Sequence, residues 1–205
     1  VANESGSTDY MYKNNGGGYF TKVTGIAPTT SGGISWSSSW GDYDNDGDQD
    51  LVVIPWNDEC WPCTYPILFY KNNGDGTFTR EINEIGQQVI DGRGAAWGDY
   101  DNDGNLDLYI ARYFNQKNML FRNLGNAHFE QITTGAIVND MNSSFGCAWA
   151  DYNKDGWIDL FVSNGQNQND ALYKNNGNGT FTRITSDPIV LDGAESWGCA
   201  WGDYD

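Results

Sequence analysis

Histidine occurs once in the 205 residues, as His128, and basic residues are scarce. Eleven lysines and arginines stand against 28 aspartates and glutamates, a formal net charge of −17. No apolar run reaches the length that crosses a bilayer as a helix, and no helical period is sustained over a long stretch. Each shortage excludes something. Without a basic patch there is nothing to neutralise phosphates, so nucleic acid is not an expected partner. With one histidine, no Cys/His pair, no nucleophile elbow and no phosphate loop, the chain is not expected to be an enzyme. His128 takes the place that Thr77 and Thr180 hold in related segments, which reads as an exposed strand position.

Cysteine is sparse too, with four residues. Cys60 and Cys63 form a CxxC, but no βαβ pattern surrounds it, and a lone CxxC makes a poor zinc site. The preferred reading is a local disulfide between Cys60 and Cys63, pinning an inserted loop in an oxidising compartment. Cys147 and Cys199 each lie two residues before a tryptophan and read as buried small residues rather than a bridge.

What the chain has in abundance is glycine (26 residues), Asn and Asp, and 15% aromatic residues. That mixture suits short strands joined by tight turns, and the expected fold class is almost all-β. The acidity is concentrated in one motif. Trp40-Gly41-Asp42-Tyr43-Asp44-Asn45-Asp46-Gly47-Asp48-Gln49-Asp50-Leu51 returns as Trp97 to Leu108 and again as Trp149 to Leu160, and a fourth copy opens with Trp201, Asp203 and Asp205. Each complete copy places oxygen-bearing side chains at loop positions 1, 3, 5 and 9, with glycine at position 6.

Carboxylates packed this closely repel. At ~4 Å and an effective dielectric of ~20, each pair costs roughly 4 kcal/mol. A loop built this way needs a counter-charge, and the spacing wraps a hard cation, with Ca2+ as the best candidate, about one per complete loop. Glycine at position 6 permits the positive φ that turns the chain back on the ion. Position 7 varies between Asp48, Asn105 and Trp157, as expected where only a backbone carbonyl binds. An EF-hand needs a bidentate Glu at position 12, but Val53, Ile110 and Val162 stand there, in apolar runs that read as buried strands. The loop therefore joins two strands, and Asp50, Asp107 or Asp159 closes it. Mg2+ fits less well than calcium, and zinc and copper lack His or Cys ligands nearby. Three divalent ions would offset about a third of the formal charge of −17.

A second motif alternates with the first. Leu68-Phe69-Tyr70-Lys71-Asn72-Asn73-Gly74-Asp75-Gly76-Thr77-Phe78-Thr79 has counterparts beginning at Tyr10, Leu120 and Leu172, each read as a strand, a glycine-rich turn and a strand. The tryptophans recur at about fifty residues, the spacing of a propeller blade. The longest interval is the first, and the CxxC falls in its excess. Four strands per repeat are expected, the innermost around the motif tryptophan, with Trp40, Trp97 and Trp149 packing on Phe78, Phe129 and Phe181 between neighbouring sheets. A unit this small buries its faces only against neighbours. The expected division is a leading half blade over 10–39, blades over 40–96, 97–148 and 149–200, and a truncated blade over 201–205, all within one longer propeller.

Together, WGDYDNDGxxDL and LYKNNGDGTFT resemble the FG-GAP/VCBS repeat family, the calcium-loop propellers of integrin α-chain heads and cartilage-acidic-protein-like proteins. Only Phe145-Gly146 matches the family's name-giving signature. The resemblance implies a ring of about seven blades. It implies calcium ligation by Asp42, Asp44, Asp46, the Asp48 carbonyl and Asp50; by Asp99, Asp101, Asp103, the Asn105 carbonyl and Asp107; and by Asp151, Asn153, Asp155, the Trp157 carbonyl and Asp159. Asn153 at position 3 lowers the charge of the third loop and its expected affinity. Asp203 and Asp205 begin a fourth set.

The functional expectation is a secreted or cell-surface calcium-binding module for recognition or adhesion, with a protein or carbohydrate ligand. The alternative is a structural subunit, assembled with further copies of itself through blade edges into a surface layer or filament. Trp36, Trp56 and Trp61, outside the repeat positions, are candidate ligand contacts, with loop packing around the Cys60 insertion as the competing role. Asn3, Asn142 and Asn178 head glycosylation sequons.

Overall fold

The computed structural model describes residues 9–30, 34–56, 65–191 and 193–203. The chain divides into two compact units, Val1–Asp91 and Gly92–Asp205.

The first unit opens with a hairpin of β1 (Met11–Asn14) and β2 (Phe20–Val23), followed by a single helical turn, α1 (Ala27–Thr30). Next come β3 (Ile34–Gly41), β4 (Asp50–Trp56), β5 (Tyr65–Pro66), β6 (Leu68–Asn72), β7 (Phe78–Glu81) and β8 (Val89–Ile90). The hydrogen-bonded order β3-β4-β6-β7 makes a four-stranded antiparallel sheet, while β5 and β8 pair separately. In the second unit the pattern runs twice. β9 (Gly92–Gly98), β10 (Asp107–Arg112), β11 (Met119–Asn123) and β12 (Phe129–Ile132) form one sheet. After α2 (Ala136–Asn139), β13 (Ser144–Ala150), β14 (Asp159–Asn164), β15 (Ala171–Asn175) and β16 (Phe181–Ile184) form the next. These three sheets are antiparallel arrays of four strands, as the alternating motifs predicted, while β1–β2 and β5–β8 are two-stranded.

The hairpin turns follow from their composition. The Asn72 side chain accepts the Gly74 amide (3.1 Å), and the Asn175 side chain accepts the Gly177 amide (3.0 Å). An Asx-type bond of this kind replaces a backbone turn bond and fixes where the strand reverses.

The innermost strands carry a shared irregularity. The register between β3 and β4 slips at Trp36, between β9 and β10 at Arg93, and between β13 and β14 at Phe145. These three residues, each four before the motif tryptophan, occupy β-bulges, which re-aim a side chain and sharpen the local twist. Beside them the inner strands of the second unit approach closely: a Cβ on Gly94 would lie 2.5 Å from the Phe145 carbonyl oxygen. Only glycine fits there.

Tyrosine, more than tryptophan, fills the core. Tyr43, Tyr70, Tyr109 and Tyr173 are essentially fully buried. In the second unit Tyr100, Tyr109, Leu120, Ile137, Val138, Leu160, Val162, Tyr173 and Phe181 form one cluster between the two sheets. Burying each large side chain contributes ~1.5–3 kcal/mol. The tryptophan–phenylalanine pairs do form, with centroids 6.1 Å apart for Trp40–Phe78, 6.3 Å for Trp97–Phe129 and 6.1 Å for Trp149–Phe181. They sit at the margin, however, and Trp40 is 45% exposed. Tyr70, Tyr109 and Tyr173 on the strands, with Tyr43 from an acidic loop, take the interior, and Trp149 packs against the cluster from its edge.

Candidate metal-binding loops

Each acidic loop joins the inner strand of a sheet to the second strand, and three backbone features shape it. Glycine at position 6 has φ near +90° in all three copies (Gly47, Gly104, Gly156), as the turn requires. Position 4, held by Asn45, Asn102 and Lys154, is also left-handed. The position 1 carboxylate then caps the turn from inside. Asp42 accepts the amides of Asp46 (3.1 Å) and Gly47 (3.0 Å); Asp99 accepts those of Asp103 and Gly104 (both 3.0 Å); Asp151 accepts those of Asp155 (3.0 Å) and Gly156 (2.8 Å).

The position 9 aspartates are fully buried. Asp50 accepts the Tyr43 amide (3.2 Å) and the Asn72 amide (2.8 Å), and Asp107 accepts those of Tyr100 (3.1 Å) and Asn123 (2.8 Å). Asp159 accepts the Asn175 amide at 2.7 Å. These carboxylates thus tie the loop to the hairpin strand of its own sheet. Burial pushes Asp50 up to about 6 and Asp107 up to about 7, against the two backbone bonds that favour the ionised form, and it raises Asp159 as well. Added positive charge beside a carboxylate so placed favours its ionised form.

Carboxylate oxygens of Asp42, Asp44 and Asp50 lie within 4.8 Å of one another, as do those of Asp99, Asp101 and Asp107. Oδ1 of Asp44 is buried with no hydrogen-bond partner. Hard oxygen donors, converged and incompletely satisfied, fit a divalent cation of the calcium type. In the third loop Asn153 stands at position 3 and donates to Asp159 Oδ2 (3.1 Å), so the amide itself takes up part of that carboxylate.

Position 5 is used differently. Asp46, Asp103 and Asp155 are exposed, and each accepts the amide two residues on. At position 7, Asp48 and Asn105 are half-buried, and the indole of Trp157 lies against Gly177 of the next hairpin. Asp203 is exposed. Asp205, Cys60, Cys63, Trp61 and Asn3 lie outside the described residues. Asn142 is half-buried and Asn178 exposed. Cys147 and Cys199 are unpaired, each with its sulfur near a backbone carbonyl.

Two groups at these loops escaped the sequence reading. One is the asparagine that begins each hairpin turn: Nδ2 of Asn72, Asn123 and Asn175 donates to the position 8 carbonyl of Gln49, Leu106 and Ile158, each at 3.1 Å. The other is the basic residue before it. Lys71 pairs with Asp44 and Asp46, Arg122 with Asp101 and Asp103, and Lys174 with Asp155. The signal was present, because a basic residue precedes that asparagine in every copy, but nothing local says that it folds back on the loop.

The far ends of the same strands carry a different chemistry. Tyr113 packs at a tilt against Phe145 (4.8 Å) and lies under the Arg93 guanidinium (4.9 Å), and Phe145 stacks on Trp197 (4.8 Å). Amides knit the loops together, with Gln166 Nε2 donating to Tyr113 Oη (3.2 Å) and Gln168 Nε2 to Asn115 Oδ1 (2.8 Å). Phe114, Asn115, Gln166 and Asn167 all have positive φ without being glycine, and such strain persists only where the surroundings impose it. Trp36 occupies the corresponding bulge of β3 and is half-buried, and Trp56 ends β4. No helix among the described residues is long and apolar enough to cross a membrane.

A profile for the FG-GAP-like repeat matches the chain four times, over residues 1–53, 62–110, 99–162 and 151–205. Among solved structures, the chain is similar to an Agrocybe aegerita lectin described as specifically recognising non-reducing terminal N-acetylglucosamine. The two are 16% identical with a TM-score of 0.54, over 86% of this chain. The chain spans 46% of the lectin's length. No curated protein matches the sequence.

Proposed function

The chain belongs to the FG-GAP-like repeat family, and from that premise we propose that it is a calcium-dependent recognition module of the β-propeller type, secreted or displayed at the cell surface, with a carbohydrate ligand. The observation that carries the metal assignment is the convergence of Asp99, Asp101 and the buried Asp107, repeated at Asp42, Asp44 and Asp50. Positions 1, 3 and 9 of each loop would hold the ion, with the position 7 carbonyl completing the set. Bound calcium supplies the positive charge that these carboxylates lack. The loop residues do the rest: position 1 shapes the turn, and position 9 fastens it to the hairpin.

Support for a carbohydrate comes from the opposite strand ends, where the exposed Phe114 and the half-buried Tyr113 stand among Asn115, Gln166 and Gln168. Aromatic faces stack on sugar rings, and amides both donate and accept toward hydroxyls. The likeness to a lectin points the same way.

Isothermal titration of the calcium-stripped protein with CaCl2, followed by a glycan array in calcium and in EDTA, tests the reading. The expected result is saturable calcium uptake and glycan binding that EDTA abolishes. Absence of calcium uptake overturns the metal assignment. Calcium uptake with no glycan bound overturns the ligand class alone.

A further inference from the structure

The hairpin of each four-stranded sheet places one cationic side chain over the acidic loop of that sheet. Lys71 Nζ pairs with Asp44 and lies 2.9 Å from Asp46 Oδ2. Arg122 Nε lies 2.6 Å from Asp101 Oδ2, and its terminal nitrogen 3.4 Å from Asp103 Oδ2. Lys174 Nζ lies 3.5 Å from Asp155 Oδ2. The partners are at loop positions 3 and 5 in the first two loops and at position 5 alone in the third, the carboxylates left over once position 1 has capped the turn and position 9 has joined the hairpin.

We propose that Lys71, Arg122 and Lys174 are resident counter-cations that hold the loop carboxylates when no metal is bound and thereby set how tightly each loop takes calcium. The proposal rests on the calcium reading given above. A loop with four mutually repelling carboxylates does not keep its shape unaided. The basic side chain supplies one positive charge from a strand that the position 9 aspartate already binds, so the cradle stays formed without the ion. An arriving divalent ion must displace that charge or tolerate it a few ångströms away, and either costs affinity.

The three loops are not equal in this respect. Arg122 stands directly across the hairpin from Glu130, a second acceptor it can reach when displaced. Lys71 stands across from Thr79, which offers no charge. Lys174 makes one long contact, in the loop where Asn153 has already removed a carboxylate. Displacement is therefore hardest for Lys71, easier for Arg122 and of least consequence for Lys174.

Calcium titrations of the wild type, of the triple variant K71Q/R122Q/K174Q and of the single variants decide the matter, run at low and at high KCl. Removing a unit charge this close to a divalent ion should tighten calcium binding roughly tenfold at low salt, with the gain shrinking as salt screens it. The singles should rank Lys71→Gln above Arg122→Gln above Lys174→Gln. After calcium stripping, the triple variant should melt below the wild type, an effect that calcium reverses. The charge-preserving Lys71→Arg should keep wild-type affinity. Equal or weaker calcium binding by the triple variant, beside a wild type that binds, overturns the proposal. A wild type that takes up no calcium overturns the underlying assignment instead, and the two failures are told apart by that one control.

Discussion

The ring of Tyr100 lies nearly parallel to that of Trp149, 6.3 Å between centroids and 13° between planes. Tyr100 is position 2 of one acidic loop, and Trp149 belongs to the inner strand of the next sheet. The relation recurs between Tyr152 and Trp201, at 6.4 Å and 11°. Position 2 therefore sends its side chain out of the loop and between the sheets, while its own amide is held by the buried Asp107. The indole nitrogens close the contact from the other side, Trp149 donating to the Ala96 carbonyl (3.2 Å) and Trp201 to that of Ala148 (3.0 Å). Asn102 also donates to the Gly156 carbonyl at 3.1 Å, so one acidic loop touches the next. Ordering a loop and packing two sheets are one event in this arrangement.

The first prediction follows from that pairing. Tyr100→Ala removes a ring that is 4% exposed and leaves a cavity beside Trp149 and Phe181. Its cost should be ~3–5 kcal/mol, the usual range for truncating a buried aromatic. Tyr152→Ala should cost much less, because Tyr152 is 37% exposed. Urea unfolding of the two variants checks the difference, and equal losses would show that the stacking does not hold the sheets together.

Asp101→Ala and Asp75→Ala separate loop chemistry from turn chemistry. Asp101 converges with Asp99 and Asp107 and also holds Arg122. Asp75 is exposed and accepts only from Thr77 within its turn. In millimolar calcium the Asp101 variant should melt several degrees below the Asp75 variant, with the gap narrowing once calcium is stripped. Differential scanning calorimetry in both conditions provides the reading.

The buried position 9 aspartates make a pH prediction whose sign can be worked out. In the folded, metal-free protein Asp107 titrates at about 7, against an ordinary value near 3.9 in an unfolded chain. The native state therefore binds this proton more tightly. Stability from that proton is fully present below about pH 4 and is lost as pH rises through about 7. Asp50, raised to about 6, adds in the same direction over a lower window. Calcium-stripped protein should accordingly have a higher Tm at pH 5.5 than at pH 8. In excess calcium the order should invert, because the ion needs the ionised carboxylate. A stripped protein whose Tm rises between pH 5.5 and pH 8 would contradict the burial of these groups.

Local patterns of the chain were legible in its sequence. The short apolar runs marked the strands, the glycine-rich turns marked the hairpins, and the four-strand meander followed from their order. The loop spacing drew Asp42, Asp44 and Asp50 into one set because the turn is built from consecutive residues. What the sequence did not yield is whatever depends on a neighbour. Trp36, Arg93 and Phe145 share a position, but three unlike side chains give no hint that each sits on a bulge. The short α1 and α2 turns and the β5–β8 pair are too brief to carry a period. Lys71 and Arg122 read as ordinary exposed strand residues until the loop folds beneath them. The tryptophans were expected to pack on the hairpin phenylalanines between sheets; the pairs form, but the tyrosines that share the core with them carried no such signal.

The last prediction concerns the strand ends away from the acidic loops, where one position links neighbouring sheets. Asp170 accepts the Asn164 amide (2.7 Å) within its own sheet and the Ser196 hydroxyl (2.9 Å) from the segment that follows. One repeat earlier Asn118 does both tasks, accepting the Arg112 amide (2.8 Å) and donating to the Ser144 hydroxyl (3.0 Å). In the first unit Asp9 accepts from Ser35 at 2.8 Å. Aspartate and asparagine thus serve interchangeably, because a hydroxyl can donate to one and accept from the other. Asp170→Asn should therefore cost less than ~1 kcal/mol. Asp170→Ala should cost ~2–4 kcal/mol, since it strands the buried Asn164 amide without a partner. Hydrogen exchange at Asn164 distinguishes this link from a general packing effect: faster exchange in the alanine variant, and native protection in the asparagine variant, is the expected pair of results. If both variants exchange alike, the side chain is not what joins the two segments.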